Sequence, residues 1–283
     1  MTWPFTEIET YYDSKTQALL HRYGPGPRVH YHVGLFDEPE PLAPVPQLLK
    51  KQIVASQERI LRYAAQTWDA SSTLCGNVLD VGCGLGGGSL FWAQEFGANV
   101  TAVTCAPSHI QWVAHFAAQA GVASQVHPFV CNAVEMPGEN CFDAAVAFES
   151  SCYMPRQSLF QRLADLLRPG GRVFLADFFF EQSEYEEISR QHWSAPIGTL
   201  GEYRKAAQEA GLQEEGINDI SLRTEHFWAI TTALVQAEAC QKEWNGTEAK
   251  KVGESLYAHT LLRQGLVNGG LRYALMSFVK GNN

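Results

Sequence analysis

A mixed α/β fold built on a doubly wound, mainly parallel sheet is what this sequence predicts, and three observations predict it. Apolar runs of strand character alternate with stretches of helical periodicity from residue 77 to residue 180. The first of these runs ends in a glycine cluster that opens a helix, "VLDVGCGLGGG". After a looser stretch, "GLRYALMSFV" supplies one more strand near the end. Such alternation means βαβ units with helices on both faces of the sheet.

Taken in order, the first stretch to about residue 45 reads as irregular, punctuated by Gly24, Pro25, Gly26 and Pro27, and suits a lid better than a core. From Pro46, "PQLLKKQIVASQERILRYAAQTW" sets Leu49, Ile53, Ile60 and Ala64 at helical spacing, with proline where a first turn accepts it. Strand, glycine turn, helix and strand follow in "NVLDVGCGLGGGSLFWAQEFGANVTAVT". Further strands are expected at "QVHPFVCN", "FDAAVAFES" and "GRVFLADFFF", separated by helices at "SHIQWVAHFAAQAG" and "RQSLFQRLADLLRPGG". Beyond Phe180, "EQSEYEEISRQHWSAPIGT" looks like an insert and "LGEYRKAAQEAGL" is helical. The organisation expected is one enlarged domain in three segments: a lid and helix over 1–70, a nucleotide-binding core over 71–180, and a substrate-covering insert with the last strands over 181–283.

The 283 residues are 46% hydrophobic and 18% charged, enough to bury a large core, and the net charge of -9 argues against a surface that tracks nucleic-acid phosphates. Seven cysteines, Cys75, Cys83, Cys105, Cys131, Cys141, Cys152 and Cys240, are scattered and never spaced C-x-x-C. Neither a disulfide framework nor a zinc site is signalled, and a reduced, cytoplasmic setting is expected. The start, "MTWPFTEIETYYD", lacks the basic and apolar regions of a secretory signal, and no apolar run approaches the roughly 20 residues of a membrane span.

One residue poses a chemical question. "DAAVAFESSCYM" is an apolar strand that stops on Glu149. An ionised carboxylate buried there costs several kcal/mol unless a positive charge compensates it.

The ordered set "LDVGCGLGG", "GANVTAVTCAPSHIQWV", "VCNAVEMP", "FDAAVAFESSCYM" and "LLRPGGRVFLADF" resembles the successive motifs of class I S-adenosylmethionine-dependent methyltransferases, over about residues 76–180. The resemblance implies a Rossmann-like core and S-adenosylmethionine as cofactor. It implies that Asp80 begins the motif and that Gly82, Cys83 and Gly84 lie against the methionine part of the cofactor. Many relatives end the second strand on an acid that binds the ribose. "VTCAPSH" instead follows sterol-, tocopherol- and cyclopropane-type enzymes, which use a threonine and a residue five further on, here Thr104 and His109. Asn132 stands where an aspartate commonly accepts from the adenine amino group, and Ala133 would offer its N–H to the ring. The plainer alternatives are a helix cap for Thr104, a solvated helix face for His109 and an ordinary turn for Asn132.

"FESSCYMPRQSLF", "HWSAPIGTLGEY", "HFWAITTALV", "GLRYALMSFV" and "VHYHVG" extend the likeness, more weakly, to isoprenoid C-methyltransferases of the geranyl diphosphate and teleocidin prenyl types. That resemblance implies methyl transfer to an alkene carbon, with Glu149 beside the resulting cation and a candidate for the final base. Trp193 and Tyr273 would face the cation. Tyr153, Phe148, Phe227 and Trp228 would form the apolar wall, Tyr11 or Tyr12 would close over the sulfonium, and His30, Tyr31 and His32 would stand near the reacting end. Lys15, Arg22 and Arg28 are candidates to meet a diphosphate, whose magnesium would ride on the substrate's phosphates, since no D-D-x-x-D is present. The plainer account of Glu149 is loop ordering, and of the aromatics core packing.

The geranyl diphosphate enzymes carry polar amides just before their glutamate, where this chain has Ala147 and Phe148. Isopentenyl diphosphate, farnesyl diphosphate and a neutral prenylated indole therefore stay open as acceptors. The partner expected is a small isoprenoid, with no nucleic acid and no membrane, and family likeness implies a homo-oligomer. The competing readings are an O- or N-methyltransferase and a scaffold that binds S-adenosylmethionine without using it.

Overall fold

The computed structural model describes residues 5–240 and 246–282. In chain order the elements are helices α1 (Phe5–Tyr23), α2 (Pro46–Thr67) and α3 (Ser71–Leu74), then β1 (Asn77–Val81), α4 (Gly87–Phe96), β2 (Asn99–Thr104), α5 (Pro107–Gln119), β3 (Val126–Val130) and β4 (Phe142–Phe148). They continue as α6 (Arg156–Leu166), β5 (Leu167–Phe180), α7 (Ser183–Trp193), α8 (Leu200–Glu209), β6 (Leu212–Asp219), α9 (Ser221–Ala239), α10 (Gly246–Asn268) and β7 (Leu271–Lys280). The sheet order is β3-β2-β1-β4-β5-β7-β6, with β7 antiparallel to both neighbours and β1 to β5 parallel.

That order reverses between β1 and β4. Chain leaving β1 runs outward to β2 and β3, then returns to pair β4 on the other side, so a crevice opens above the carboxyl ends of these two strands. The register Asp80↔Val146 sets the glycine turn after β1 beside the residue that follows β4. Both strands are buried almost throughout, as strands covered on both faces must be.

The sequence expectation for α2 holds: Leu49, Ile53, Ile60 and Ala64 are all buried in the core. The expectation of an irregular segment to residue 45 is corrected at its start, where α1 forms. Its buried residues Ile8, Thr16, Leu19 and Tyr23 lie on one helical stripe. The Gly-Pro pairs that drew the reading toward a loop come only after Tyr23. Asp13 latches α1 onto the nucleotide half, accepting from the Ser108 backbone N–H at 3.2 Å and hydroxyl at 2.5 Å in the first turn of α5.

Three further elements were not legible. The edge strand β6, "LQEEGIND", is mostly exposed and carries paired glutamates. The long helix α10 packs antiparallel on α9, and the insert after Phe180 contains α7.

Candidate active site

The turn after β1 builds the first half of the site. Gly82 has φ of 74°, and a Cβ there would stand 2.5 Å from Cβ of Ser150, so the turn closes only with glycine. Gly84, with φ of 53°, has nothing within 4 Å of an added Cβ and faces a cavity of about 320 Å³. Asp80, Cys83, Thr104, His109, Asn132 and Ala133 line the same cavity, so the predicted cofactor residues come together.

Their local chemistry separates the readings. Asp80 is buried and accepts from the Ser89 hydroxyl at 2.5 Å; burial lifts its carboxyl to about 6, with the serine pulling the other way. Thr104 Oγ1 accepts from the Ala106 N–H at 3.1 Å at the start of α5 and sits 3.4 Å from His109 Nδ1, so it has the capping contact as well as a place in the cavity wall. His109 is not on a solvated face. It is buried, burial lowers its pKa, and its Nε2 has no partner among the described residues. Asn132 Oδ1 reaches the Val134 N–H only at 3.4 Å, at the start of a single 3₁₀ turn whose first residue is Ala133.

A second cavity of about 660 Å³ lies between α1, α7, α9 and α10. Phe178, Ile197, Phe227 and Trp228 form an apolar stretch of its wall, among polar and charged side chains that include Lys15, Asp177 and Lys251. Tyr12, Tyr31, His32, Glu149 and Tyr153 belong to both cavities, and so form the wall where the two meet.

Glu149 stands at the centre of that wall. It follows β4 in the left-handed region, φ 49°, a conformation costing a non-glycine residue about 1–2 kcal/mol. Its backbone N–H is nonetheless held by the Ala176 carbonyl at 2.8 Å. One carboxylate oxygen, Oε1, accepts from the Val33 N–H at 2.7 Å and the Tyr273 hydroxyl at 3.0 Å. Among the described residues no cation forms an ion pair with it. Burial, together with nearby Asp177, lifts its carboxyl to about 8 against the pull of those two donors. The accessible part of the side chain lines the two cavities rather than an outer surface.

The other predicted residues divide. Tyr12 packs edge-on to Tyr153, Tyr31 and His109. Phe148 lines the cofactor side and packs on His32, Trp68 and Trp92. Tyr273 is fully buried behind Glu149 and orients it, instead of presenting a ring to the cavity. Trp193 ends α7, and its side chain lies outside the described residues. Arg28 is corrected outright: Glu58 at 2.8 Å, Glu95 at 2.9 Å and Gln94 at 2.8 Å hold it away from both cavities, over the ring of Phe91. Three carboxylate and amide partners within reach outcompete a distant anion.

The sequence also missed partners. Gln57 on α2 donates to the His32 carbonyl at 2.6 Å and so holds the segment that delivers Val33 to Glu149. His32 sets its Nδ1 2.8 Å from the Val33 carbonyl, which makes that nitrogen the N–H donor and leaves Nε2 a lone pair without a partner among the described residues. Burial and the adjacent His30 push its pKa down to about 3. No signal in the sequence marked these backbone contacts, which depend on two distant segments meeting.

This sheet order, with a glycine turn and a cavity at its switch point, is the doubly wound α/β arrangement whose crevice is where nucleotide ligands bind. The family model for a methyltransferase domain matches residues 78–171. O-methyltransferase rstn1 of Aspergillus nomiae is 31% identical over 62% of this chain and 73% of its own. The chloroplastic tocopherol O-methyltransferase of Arabidopsis thaliana is 27% identical over 72% of this chain, which spans 64% of that protein's length. A solved geranyl diphosphate methyltransferase, in complex with GPP and sinefungin, superposes with a TM-score of 0.81 at 20% identity, covering 98% of this chain and 100% of that one. The chain belongs to the class I S-adenosylmethionine-dependent methyltransferases.

S-Adenosylmethionine fits the residues present. The open face of Gly84 admits close approach, and the orphaned Nε2 of His109 offers a hydrogen bond to a polar ligand in a buried wall. Among the described residues no helix is long and apolar enough to cross a membrane, and no three His, Cys, Asp or Glu side chains gather as metal ligands.

Proposed function

We propose that this chain methylates an alkene carbon of an isoprenoid acceptor. The observation that carries the reading is the position of Glu149: a buried carboxyl with no cationic partner among the described residues, in the wall between a nucleoside-sized cavity and an aromatic one. When bound, S-adenosylmethionine supplies an electrophilic methyl on a sulfonium. Gly82, Gly84, Thr104, His109 and Asn132 would hold the cofactor. Tyr12, Tyr31 and Tyr153 would exclude water and keep the acceptor's π cloud in line. The alkene's π pair would form the new carbon–carbon bond as the sulfur–methyl bond breaks and its electron pair stays on sulfur, giving S-adenosylhomocysteine and an electron-deficient carbon next to the new bond. Glu149 stabilises that charge by preorganised electrostatics, as an oxyanion hole does with the opposite sign, and Tyr273 and Val33 keep its oxygen aimed. The cation would end by losing a proton, and Glu149, which lines both cavities, is the candidate to take it.

A second reading has its own observation. Glu149, once ionised beside a sulfonium, would also be a fitting base for a hydroxyl, which would make the chain an O-methyltransferase, the activity in the names of two relatives given above. Incubation with methyl-labelled cofactor, a panel of prenyl compounds and a panel of phenols separates the two. A methyl on carbon with a shifted double bond or new ring is the expected product; a methyl ether alone would reject the isoprenoid reading. Cofactor binding with no S-adenosylhomocysteine formed from either panel would leave a non-methylating scaffold.

A further inference from the structure

Asp177 is a second buried carboxyl, and the chemistry above does not use it. It lies on β5, 1% exposed, one residue beyond Ala176, whose carbonyl holds the Glu149 N–H at 2.8 Å. Like Glu149, it borders the second cavity. A buried carboxylate needs donors or a cation, and Asp177 has three donors. Its Oδ1 accepts from the Phe178 N–H at 2.9 Å, and its Oδ2 accepts from the Ser151 hydroxyl at 2.5 Å and the Cys152 N–H at 3.3 Å. The Tyr203 hydroxyl of α8 stands 3.2 Å from the same Ser151 oxygen. Arg156 of α6 is the cation facing Asp177, but among the described residues the two form no ion pair. Arg156 donates instead to the Pro196 carbonyl at 2.8 Å and lies over the Tyr203 ring.

Two of those three donors belong to the turn that carries Glu149. Ser151 and Cys152 open the 3₁₀ turn Ser151–Tyr153. Glu149, in the left-handed region just before it, keeps that conformation only while the chain on both sides is held. Upstream, β4 is held by β5 through the register Phe148↔Ala176. Downstream, Ser150 donates its hydroxyl to the Val81 carbonyl, and the next two residues hang on Asp177. The same strand sets Phe178 opposite Tyr273, whose hydroxyl reaches Glu149 at 3.0 Å. Residues 176–178 of β5 therefore fix the backbone, the turn and the tyrosine that together aim one carboxyl.

We propose that Asp177 is a positioning residue for Glu149, tying down the turn that projects this carboxyl into the wall between the two cavities. The inference rests on the role given to Glu149 in the isoprenoid reading and deepens it. Both oxygens of Asp177 are taken by donors of the chain, so it acts through Glu149 and not on the acceptor. Its charge also bears on Glu149. Burial lifts Asp177 to about 6, so above that pH a second negative charge stands near Glu149 and adds to the burial that lifts Glu149 to about 8. The other titratable groups facing Glu149 stay neutral over that range. Burial raises Tyr273 on β7, Tyr23 on α1, Tyr31 and Cys152, and it lowers His32.

The test uses the full chain with Ser151→Ala and Asp177→Asn, each made in the wild type and again in Glu149→Gln. On whichever compound of the two panels is methylated, each change should lower kcat about tenfold, roughly the worth of one hydrogen bond to a charged group, with acceptor KM within about twofold. In Glu149→Gln neither should lower kcat further, because residues that act as a unit are not additive. Unchanged kcat in the wild type, or an equal loss in Glu149→Gln, overturns the proposal. Ser151→Ala keeps the buried carboxylate and decides the matter should Asp177→Asn not fold. Cofactor binding gives a readout that a merely structural role would not move. S-Adenosylmethionine should bind more tightly than S-adenosylhomocysteine as pH rises, levelling off once Glu149 is ionised. In Asp177→Asn that levelling should come about one pH unit lower, as the loss of a nearby like charge requires, and in Ser151→Ala it should stay in place. An unmoved profile in Asp177→Asn overturns the proposal even where no compound is methylated. A moved profile with only phenols methylated, or with nothing methylated, keeps the positioning role and removes the isoprenoid reading.

Discussion

The cavity proposed for the cofactor gathers around the turns at the ends of β1, β2 and β4, whereas the one proposed for the acceptor is lined largely by side chains on and beside α1, α7, α9 and α10, from both ends of the chain. The first is fixed by strand register and by glycines that only one conformation suits. The second depends on which residues four helices happen to turn inward. A fold-wide cofactor site can therefore persist while acceptors change, since altering helix faces leaves the sheet edge intact.

Substitutions on the two sides should accordingly differ in kind, and the largest effect belongs to the turn. Gly82→Val forces a branched side chain into φ 74° with Ser150 at 2.5 Å from its Cβ. Backbone strain and overpacking of about 3 kcal/mol together should weaken S-adenosylmethionine binding by about two powers of ten and remove turnover with every acceptor. Phe227→Ala on the acceptor side should leave cofactor affinity within about twofold and raise acceptor KM, through lost apolar contact of about 2 kcal/mol. Isothermal titration with the cofactor reads the difference; equal losses from both would show that the two cavities are one mechanical unit.

How much was legible follows the same division. The glycine turn, Asp80, Thr104, His109, Asn132 and Glu149 stood in one stretch of sequence, because parallel strands place successive loop ends along a single edge. Tyr273 was found, but as a ring, since nothing in "GLRYALM" shows that a hydroxyl would face another strand's carboxylate. Arg28 looked available because sequence displays a charge and not its partners. The packing of α10 on α9 was not legible, because α10 carries no amphipathic stripe sharp enough to announce a buried face.

The shared wall gives the next effect in size. Glu149→Gln keeps the shape and the hydrogen-bonding atoms but removes the ionisable charge. Turnover should fall by about two to three powers of ten, comparable to losing one preorganised electrostatic contact, with cofactor affinity nearly unchanged. Read with both panels, the same variant sharpens the contrast between the two readings: a loss on phenols is the pattern of hydroxyl deprotonation, a loss on prenyl compounds the pattern of charge stabilisation at carbon.

The smallest effect is one of stability, and it isolates the same carboxyl without any substrate. Burial lifts Glu149 from an ordinary carboxylate value of 4.5 to about 8. Between those values the folded chain holds a proton that the unfolded chain has released, so stability falls as pH rises through the interval. Asp80 and Asp177, lifted to about 6, act with the same sign but are spent near that pH. His32, pushed down from 6.5 to about 3, acts with the opposite sign, because below 6.5 it is the unfolded imidazole that takes the proton. The raised cysteines and tyrosines depart from unfolded values of 9.0 and 10.0, above the window. From pH 6.5 to 8 Glu149 therefore contributes most of the pH dependence. Discounted for the part of its side chain that faces the cavities, it should lower stability by about 1 kcal/mol. A Tm lower by about 2 °C is expected across that range, with a flat profile in Glu149→Gln. Because a sulfonium nearby favours the ionised carboxylate, S-adenosylmethionine should bind more tightly as pH rises over the same range, while uncharged S-adenosylhomocysteine should not. Equal slopes for the wild type and Glu149→Gln would place the proton elsewhere and take from the shared wall the charge on which its chemistry depends.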